Sequence, residues 1–369
     1  MQGVIEAGPC VRTLQMDFDD EVEFHAIRKL YDLARQPERK PFFLTVSFSH
    51  PHTPFTIHTD YWNRYADDEI DAPSVPPIPI EERDIMSQWL HYSHCADVQT
   101  VTDQHVKAAR RAYYGMISYI DDKIGRILST LTEAGFSGDT MVVFCSDHGE
   151  MLGERGMWYK QNFFEGSARV PLLVAWPTRF KPHPVSNVVS LVDLLPTILD
   201  IAADAPSFQP VDPLDGISLT SLLDGRTDDG RDTAISEYTD MGVCAPCRMI
   251  RQGRYKYIYV HGHPPQLYDL QSDPHELTNL CGRSEVADVE AALHRQVLTG
   301  WDAAAVMQQV LASQRRRLFL KQVAMQSGKF PDWSFQAFQD DTKRFVRSAG
   351  AADAKARARF PYVASRPPD

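Results

Sequence analysis

The sequence predicts an α/β fold in which a mostly parallel sheet lies between helices and a smaller α+β subdomain follows. Two observations predict it. In the first part of the chain, short and almost wholly apolar strands alternate with helical segments, as in parallel sheets covered on both faces. Farther on, short strand candidates follow one another with tight turns between them, as in antiparallel sheets. This change places the α/β domain at residues 1–205, the antiparallel-sheet subdomain at 206–312 and a polar tail at 313–369.

The first predicted elements are a helix and a buried strand. Asp20 and Glu23 have the spacing of a capping box, which predicts a helix that begins at Asp20 and ends before Pro37. Residues 42–48 are apolar at almost every position, so they predict a strand that is buried on both faces. Residues 49–54 form the loop at the carboxyl end of that strand.

A long helix and two further strands complete the predicted α/β domain. Residues 55–100 are rich in proline and aromatic residues and show no sustained period, which predicts an irregular excursion. Apolar residues then recur at three-to-four spacing and predict a helix over 106–134. Strands are predicted at 140–145 and 170–176, and a helix at 191–202.

The rest of the chain predicts a small antiparallel sheet followed by helices. Gln252 and Gly253 suit the tight turn of a hairpin, and residues 285–327 have helical periodicity. The strand candidates are residues 233–238, 247–250, 254–260 and 266–270.

The composition restricts the classes of function. The chain has 49 acidic and 38 basic residues and a formal net charge of −11, which disfavours a nucleic-acid-binding protein with a broad basic surface. No apolar run approaches the roughly 18 residues of a membrane span, and the first ten residues lack the regions of a secretory signal. The six cysteines do not indicate a disulfide framework. We therefore expect a cytoplasmic protein without nucleic-acid or membrane partners.

Two loops at the carboxyl ends of predicted strands carry residues suited to catalysis. One contains Asp147 and His148, with Lys160 farther along, and the other contains His52. In a parallel sheet such loops meet at one edge. An aspartate and an imidazole can ligate a divalent cation, while a lysine and a second histidine supply positive charge and proton transfer to an oxyanion. Taken singly, these residues also fit a turn, a loop histidine bonded to backbone and a solvated surface lysine.

A longer motif around these residues resembles a known family. Residues 143–174, with the sequence VFCSDHGEMLGERGMWYKQNFFEGSARVPLLV, closely resemble the metal-site segment of sulfatases in the alkaline-phosphatase superfamily, and most of all its choline-sulfatase branch. The resemblance implies an alkaline-phosphatase-like sheet and covers nearly the whole chain. It continues at residues 47–52, 235–238, 249–257, 267–280, 313–317, 333–336 and 358–361.

The resemblance implies a role for each candidate residue. Asp147 and His148 match the second pair of ligands of a divalent metal, with Ca²⁺ as the expected ion and Mn²⁺ or Mg²⁺ as alternatives. Lys160 matches a sulfate-binding lysine, and His52 a histidine that contacts sulfate and assists proton transfer. Glu237 matches a carboxylate near the cationic head of the substrate. These residue types suit a sulfate ester of a quaternary ammonium alcohol.

Two features of the family do not precede His52 in this sequence. Sulfatases carry paired aspartates as further metal ligands, and a Cys-x-Pro-Ser-Arg motif whose cysteine is oxidised to formylglycine, the nucleophile. The chain is therefore expected to begin well inside the fold and to be inactive alone. We interpret Asp17-Phe-Asp-Asp20 as a helix-capping cluster. We interpret Cys244-Ala-Pro-Cys-Arg248 as a coincidental match, because it lies far downstream and leads into a strand.

The leading hypothesis is a metal-dependent sulfuric ester hydrolase that converts choline sulfate into choline and sulfate. A phosphonate or phosphate monoester hydrolase of the same superfamily is an alternative enzyme, because it shares the metal chemistry. A non-catalytic truncated remnant, or a partner that assembles with a separate N-terminal piece, is the alternative outside enzymes. The arginine-rich tail resembles a segment that reaches a neighbouring subunit in this family, so a homo-oligomer is expected.

Overall fold

The structure is a computed structural model that describes residues 1–202, 210–226, 232–328 and 359–361. Its longer helices are α1 (Leu14–Ala34), α2 (Ile85–Ser93), α3 (Asp103–Glu133), α4 (Leu194–Ala202), α5 (Ala287–Leu298) and α6 (Ala303–Gln326). Its strands are β1 (Gly8–Cys10), β2 (Arg12–Thr13), β3 (Thr56–His58), β4 (Val142–Cys145), β5 (Leu172–Ala175), β6 (Thr233–Tyr238), β7 (Cys247–Gln252), β8 (Tyr255–Val260), β9 (Gln266–Asp269) and β10 (Arg359–Phe360). Single-turn helices lie at Gln2–Ile5, Thr59–Trp62, Glu165–Ala168 and Thr220–Leu223, and 3₁₀ turns at Asp67–Glu69, Ile80–Glu82, Glu154–Gly156, Leu191–Asp193 and Ser284–Val286.

Helix α1 begins earlier than the sequence predicts. Thr13 is extended and its hydroxyl accepts a hydrogen bond from the Met16 N–H at 3.1 Å, so Thr13 is the N-cap. The predicted start at Asp20 is wrong, and the acidic residues at 17–20 lie inside the helix instead of capping it. Because the helix begins upstream, the N–H groups that Asp20 would have capped lie in the helix interior and bond to carbonyls four residues earlier, which leaves the aspartates free for other contacts.

Helices α1 and α3 are joined by a buried ion network. Lys123, almost fully buried on α3, donates to Asp20 and, at 2.7 Å, to Glu23 of α1. Burial alone would raise the pKa of Asp20, but hydrogen bonds, the strongest from Lys123, outweigh burial and lower it to about 2. Both carboxylates are therefore ionised at neutral pH, and Lys123 compensates their charge within the helix pair.

Helix α3 covers the parallel pair formed by β1 and β3. Its first N–H groups are capped by Thr102, and Gly135 at φ +74° follows its last turn. Met116 on the inner face of α3 packs with Phe55 and Ile57 in one fully buried cluster. The helix predicted over 106–134 is confirmed.

The other strands of the α/β part differ from the prediction. Strand β4 pairs with β5 antiparallel, Val142 opposite Ala175. Residues 42–48 belong to none of the ladders in the described part of the chain, so the predicted strand there is wrong. Apolar strands become buried on both faces only when neighbouring strands and helices cover them. Here Phe43, Phe144 and Leu173 stay partly or largely exposed.

The antiparallel sheet predicted after residue 205 is confirmed. Its order is β6-β7-β8-β9, and each neighbouring pair is antiparallel. The β7–β8 turn consists of Gly253 and Arg254, one residue later than predicted, with Gly253 at φ +51°. Helix α5 packs Leu293 and Val297 against Tyr257 and its neighbours on one sheet face. In the region predicted as irregular, the sequence did not reveal α2.

The predicted domain limits remain predictions. The boundary at 205 and the segment 333–336 lie outside the described residues, while α6 runs without interruption through residues 312 and 313. Strand β10 returns to the beginning of the chain and pairs antiparallel with β2, where the Val11 N–H donates to the Phe360 carbonyl at 2.8 Å. In the described ranges, none of the helices is long and apolar enough to cross a bilayer.

We expect the isolated chain to bind a hydrophobic dye and to self-associate. The side chains of Phe43, Leu173 and Phe144 are 76%, 60% and 38% exposed, and apolar surface of this kind favours association. Dye fluorescence and light scattering would measure it. The Leu173→Lys variant should bind less dye, whereas Leu277→Lys, at another exposed leucine, should change it little. A monodisperse monomer with cooperative unfolding and little dye binding would contradict the expectation.

Candidate active site

His52 is held in one tautomer by the loop that carries it. Its Nδ1 lies 2.6 Å from the Thr53 carbonyl, and its Nε2 lies 2.7 Å from the Lys160 ammonium. A carbonyl can only accept and an ammonium can only donate. Nδ1 therefore carries the proton, and Nε2 accepts a hydrogen bond from Lys160. The imidazole and the ammonium thus form a directed pair.

Lys160 lies in a backbone segment of unusual conformation. Its neighbours Tyr159 and Gln161 both have positive φ, 65° and 78°. Such conformations are unfavourable for residues with a side chain and concentrate at functional sites. The segment is fixed because the Tyr159 carbonyl accepts from the Met151 N–H at 2.8 Å. The strained backbone thereby presents Lys160 to His52.

His148 completes the group. The ring centres of His52 and His148 are 6.1 Å apart, and the ring planes are inclined at 66°. His148 is three residues after the end of β4, and its Nδ1 lies 2.8 Å from the Gly149 carbonyl oxygen. The structure thus brings together three of the five predicted site residues, His52, His148 and Lys160.

Asp147 and His148 supply donors of the kind that a divalent cation takes. Asp147 Oδ2 lies 3.6 Å from His148 Nε2, and the aspartate side chain is 85% exposed. Ca²⁺ takes about six to eight oxygen ligands. Within the described ranges, no group of three or more His, Cys, Asp or Glu side chains could hold a metal ion. The two residues therefore supply part of a coordination shell and do not complete one.

Glu237 lies in a different setting from that group. It faces Arg248 across the β6–β7 ladder, with its Oε1 3.4 Å from Arg248 Nη2, and its side chain is 46% exposed. In the described part of the chain, the Glu237 carboxylate thus forms an ion pair with an arginine. The role of Glu237 near a cationic substrate stays a prediction.

Two further titratable residues adjoin Lys160. Desolvation raises the pKa of Glu150 to about 7, although backbone N–H groups and the charge of Lys160 oppose the shift. His94 Nε2 lies 3.0 Å from Gln161 Oε1, and burial lowers the pKa of His94. Sequence reasoning assigned no role to either. Glu150 stands beside the Asp147–His148 pair, which is a usable signal, whereas His94 is a lone histidine in an irregular segment and gives none.

The antiparallel sheet β6-β7-β8-β9 supports the segment that carries Lys160. Lys256 of β8 is almost fully buried and donates to Glu165 at 2.6 Å and to Glu276 at 2.8 Å. The Ser167 carbonyl, in the same single-turn helix as Glu165, accepts from the Gly149 N–H at 2.7 Å. These contacts tie the loop after β4 to the antiparallel sheet.

The comparisons with known proteins agree with this architecture. A family model described as "Sulfatase" matches residues 9–205, more than half of the chain. The chain belongs to the sulfatase family. Models described as "N-sulphoglucosamine sulphohydrolase, C-terminal" and "Choline sulfatase enzyme C terminal" match residues 153–301 and 308–360 of this sulfatase-family chain.

Relatives in the family are similar over much of the chain. A choline-sulfatase of Rhizobium meliloti (strain 1021) is 40% identical over 354 residues, covering 94% of this chain and 68% of that protein. An arylsulfatase of Clostridium perfringens is 31% identical over 265 residues, covering 69% and 52%. This sulfatase-family chain thus spans between about half and two thirds of these relatives' lengths.

Solved structures confirm the fold class. The phosphonate monoester hydrolase of Agrobacterium radiobacter superposes with a TM-score of 0.61 at 29% identity, covering 75% of this chain and 60% of that one. The corresponding hydrolase from Silicibacter pomeroyi gives 0.62 at 27% identity, covering 73% and 57%. The expected sulfatase family and its α/β fold with a C-terminal subdomain are therefore confirmed.

Proposed function

We propose that this chain carries the sulfate-binding half of a sulfuric ester hydrolase site whose substrate is choline sulfate. The observation that supports it most is the 2.7 Å contact between His52 Nε2 and Lys160 Nζ, with His148 beside it. Such a group of cationic and imidazole donors suits a sulfate ester. The 40% identity to a choline-sulfatase over 94% of the chain favours choline as the alcohol.

The two central residues would have complementary tasks. The Lys160 ammonium would neutralise the negative charge of the sulfate oxygens, which is strongest where little water competes. Lys160 Nζ carries the proton that His52 Nε2 accepts in this contact, so the pair could supply that proton to the departing alcohol oxygen and leave Lys160 as the neutral amine. Glu150, with a pKa of about 7, lies where it can tune the charge of Lys160.

The remaining predicted residues would bind the ends of the substrate and a cation. Asp147 and His148 would give two ligands to a divalent ion, for which Ca²⁺ suits the exposed carboxylate. That ion would withdraw charge from the sulfate when it is bound. Glu237 would face the quaternary ammonium group, provided that Arg248 releases its carboxylate.

The nucleophile is the part that the 369 residues do not supply. The sequence contains no Cys-x-Pro-Ser-Arg, and Cys244 of the nearest match is an exposed residue shortly before β7. A formylglycine at the N-terminus of a helix would lie in a different environment. We therefore propose that this chain binds sulfate and choline sulfate without turning them over.

We expect the purified chain to bind sulfate and Lys160→Met to weaken that binding by about 10- to 100-fold. A hydrogen bond to a charged group contributes about 1.5–3 kcal/mol, and methionine keeps the length of the side chain. Titration calorimetry with sulfate and with choline sulfate would measure it. Lys181→Met, at an exposed lysine, is the matched control and should bind as the unmodified chain does.

Other outcomes separate the alternatives. Glu237→Gln should weaken binding of choline sulfate more than that of sulfate. Tighter binding of a phosphonate than of sulfate would favour the alternative of a phosphonate hydrolase, since this chain is similar to two solved phosphonate monoester hydrolases. Absence of any anion binding would favour the non-catalytic reading. Turnover of choline sulfate by the purified chain, lost in Asp147→Ala, would overturn the proposed inactivity.

A further inference from the structure

We propose that Asp19 of α1 is a positioning residue that fixes the turn carrying His52 to Lys160. The inference rests on the role proposed above for His52. Asp19 is fully buried and was predicted to belong to a capping cluster. Its carboxylate points instead into the loop at residues 49–52.

The carboxylate of Asp19 binds three N–H groups of that loop. Oδ1 accepts from the Ser49 N–H at 2.6 Å, and Oδ2 accepts from the His50 N–H at 3.0 Å. His50 Nδ1 lies 2.5 Å from Oδ2 and donates to it. A buried carboxylate is stable only when several donors compensate its charge. These donors all lie just before His52, so the compensation also fixes the path of the backbone.

A second residue of α1 holds the other end of the turn. Gln15 is one helical turn before Asp19, so the two side chains lie on the same face of the helix. Gln15 Nε2 donates to the His52 carbonyl at 3.1 Å and to Ser49 Oγ at 3.3 Å. The His52 N–H closes the turn on the Ser49 carbonyl at 3.1 Å. Side chains on one face of α1 therefore form hydrogen bonds with the backbone at both ends of residues 49–52.

The neighbouring aspartates have other partners. Asp17 is exposed and pairs with Arg12 at 2.6 Å, and Asp20 belongs to the network around Lys123. Three carboxylates within four positions thus have separate tasks, and only Asp19 contacts the loop of His52 in the described residues. Asp17 therefore offers a control of identical chemistry on the same helix.

The buried position in which His50 donates to Asp19 has a cost in stability at the other nitrogen of the His50 ring. His50 is completely buried and packs edge-on against Tyr119 with 5.0 Å between ring centres. Its Nε2 has no hydrogen-bond partner among the described residues. A buried polar atom without a partner is unfavourable. A loop built for stability alone would not place an imidazole here, which supports a positional task for its Nδ1–H.

The test reads the imidazole of His52 directly and without sulfate. Asp19→Asn keeps the shape of the side chain, loses one accepting oxygen and presents an NH₂ group to N–H donors. Long-range ¹⁵N NMR of the histidines should show His52 protonated at Nδ1 in the unmodified chain and in Asp17→Asn. In Asp19→Asn we expect a mixture of tautomers, and sulfate affinity that falls by about tenfold or more.

Further outcomes keep the inference open to refutation. A folded Asp19→Asn chain whose His52 signals match those of Asp17→Asn would overturn it. If Asp19→Asn does not fold, Asp19→Glu decides, because it keeps the charge and moves the carboxylate relative to the Ser49 and His50 N–H groups. His52 signals in Asp19→Glu that match those of Asp17→Glu would also overturn the inference. If the unmodified chain binds no sulfate while the tautomer still changes, the proposed function fails and the positioning role stands.

Discussion

Replacing Lys256 by methionine should lower the free energy of unfolding by about 3–5 kcal/mol at neutral pH. Removal of one partner from a buried ion pair leaves an uncompensated charge, and such losses have this size. Here two carboxylates, Glu165 and Glu276, would lose their cation at once. Chemical denaturation monitored by circular dichroism would measure the change. The loss is a large part of the stability of an ordinary domain.

The loss of unfolding free energy in Lys256→Met should be smaller in acid. Burial raises the pKa of Glu276, and the charge of Lys256 partly opposes this. A carboxyl group with a raised pKa in the folded state favours folding while it is protonated, and this contribution is lost as the pH rises through that pKa. Without Lys256 the pKa of Glu276 rises further. The difference between variant and unmodified chain should therefore grow from pH 5 to pH 8.

Two controls identify the cause. Lys107→Met removes an exposed lysine from α3 and should cost less than about 1 kcal/mol. The double variant Lys256→Met with Glu276→Gln should recover part of the stability, because the buried charge is gone. An equal loss at pH 5 and pH 8, with no recovery in the double variant, would mean that packing and not charge holds this site.

Replacing Gly149 by alanine should cost about 3 kcal/mol and abolish sulfate binding. A Cβ at this position would lie 2.1 Å from the Gly166 carbonyl oxygen and 3.2 Å from that of Ser167. Both atoms are backbone, so no side chain can rotate away, and overpacking of this kind costs about 1–3 kcal/mol or more. Relief would require breaking the Gly149 N–H bond to Ser167. Thermal unfolding and sulfate titration would measure both effects.

Gly125→Ala provides the opposite expectation. Gly125 lies within α3, and a Cβ there would meet no atom within 4 Å. Alanine should therefore stabilise the helix by about 0.5–1 kcal/mol. If Gly149→Ala unfolds at the same temperature as Gly125→Ala, the close approach between the loop and the turn at residues 165–168 is not a constraint in solution.

The C-terminal sheet was predictable because its information is local. Strands β7 and β8 are joined by a two-residue turn with a glycine, so pairing and register follow from neighbouring residues. Residues 42–48 are apolar at almost every position, but a strand there would need a partner distant in sequence, and periodicity alone does not show whether one is present. The start of α1 was missed because Asp20 with Glu23 has the spacing of a capping box, whereas Thr13, the actual N-cap, is followed by Met16 at the third position and lacks that signal.

The candidate site likewise contains residues that the sequence predicted and residues that it did not. The proximity of His52, His148 and Lys160 was expected from a specific motif, although the strand predicted before His52 belongs to none of the ladders in the described residues. Asp19 was assigned to a capping cluster because its partner loop lies 30 residues away in sequence. Contacts of that kind depend on how α1 packs beside the loop, and no local pattern encodes them.

The pairing of β10 with β2 has a practical consequence for experiments. It brings Val11 and Phe360, which are separated by almost the whole sequence, within a hydrogen bond of each other. Fluorescent labels placed near these two positions would report energy transfer in the native chain and lose it on unfolding. Because the β2–β10 pair has only two residues in each strand, it should open before the buried ion network between α1 and α3 does. Such a sensor would distinguish fraying of the tail from global loss of structure in a single titration.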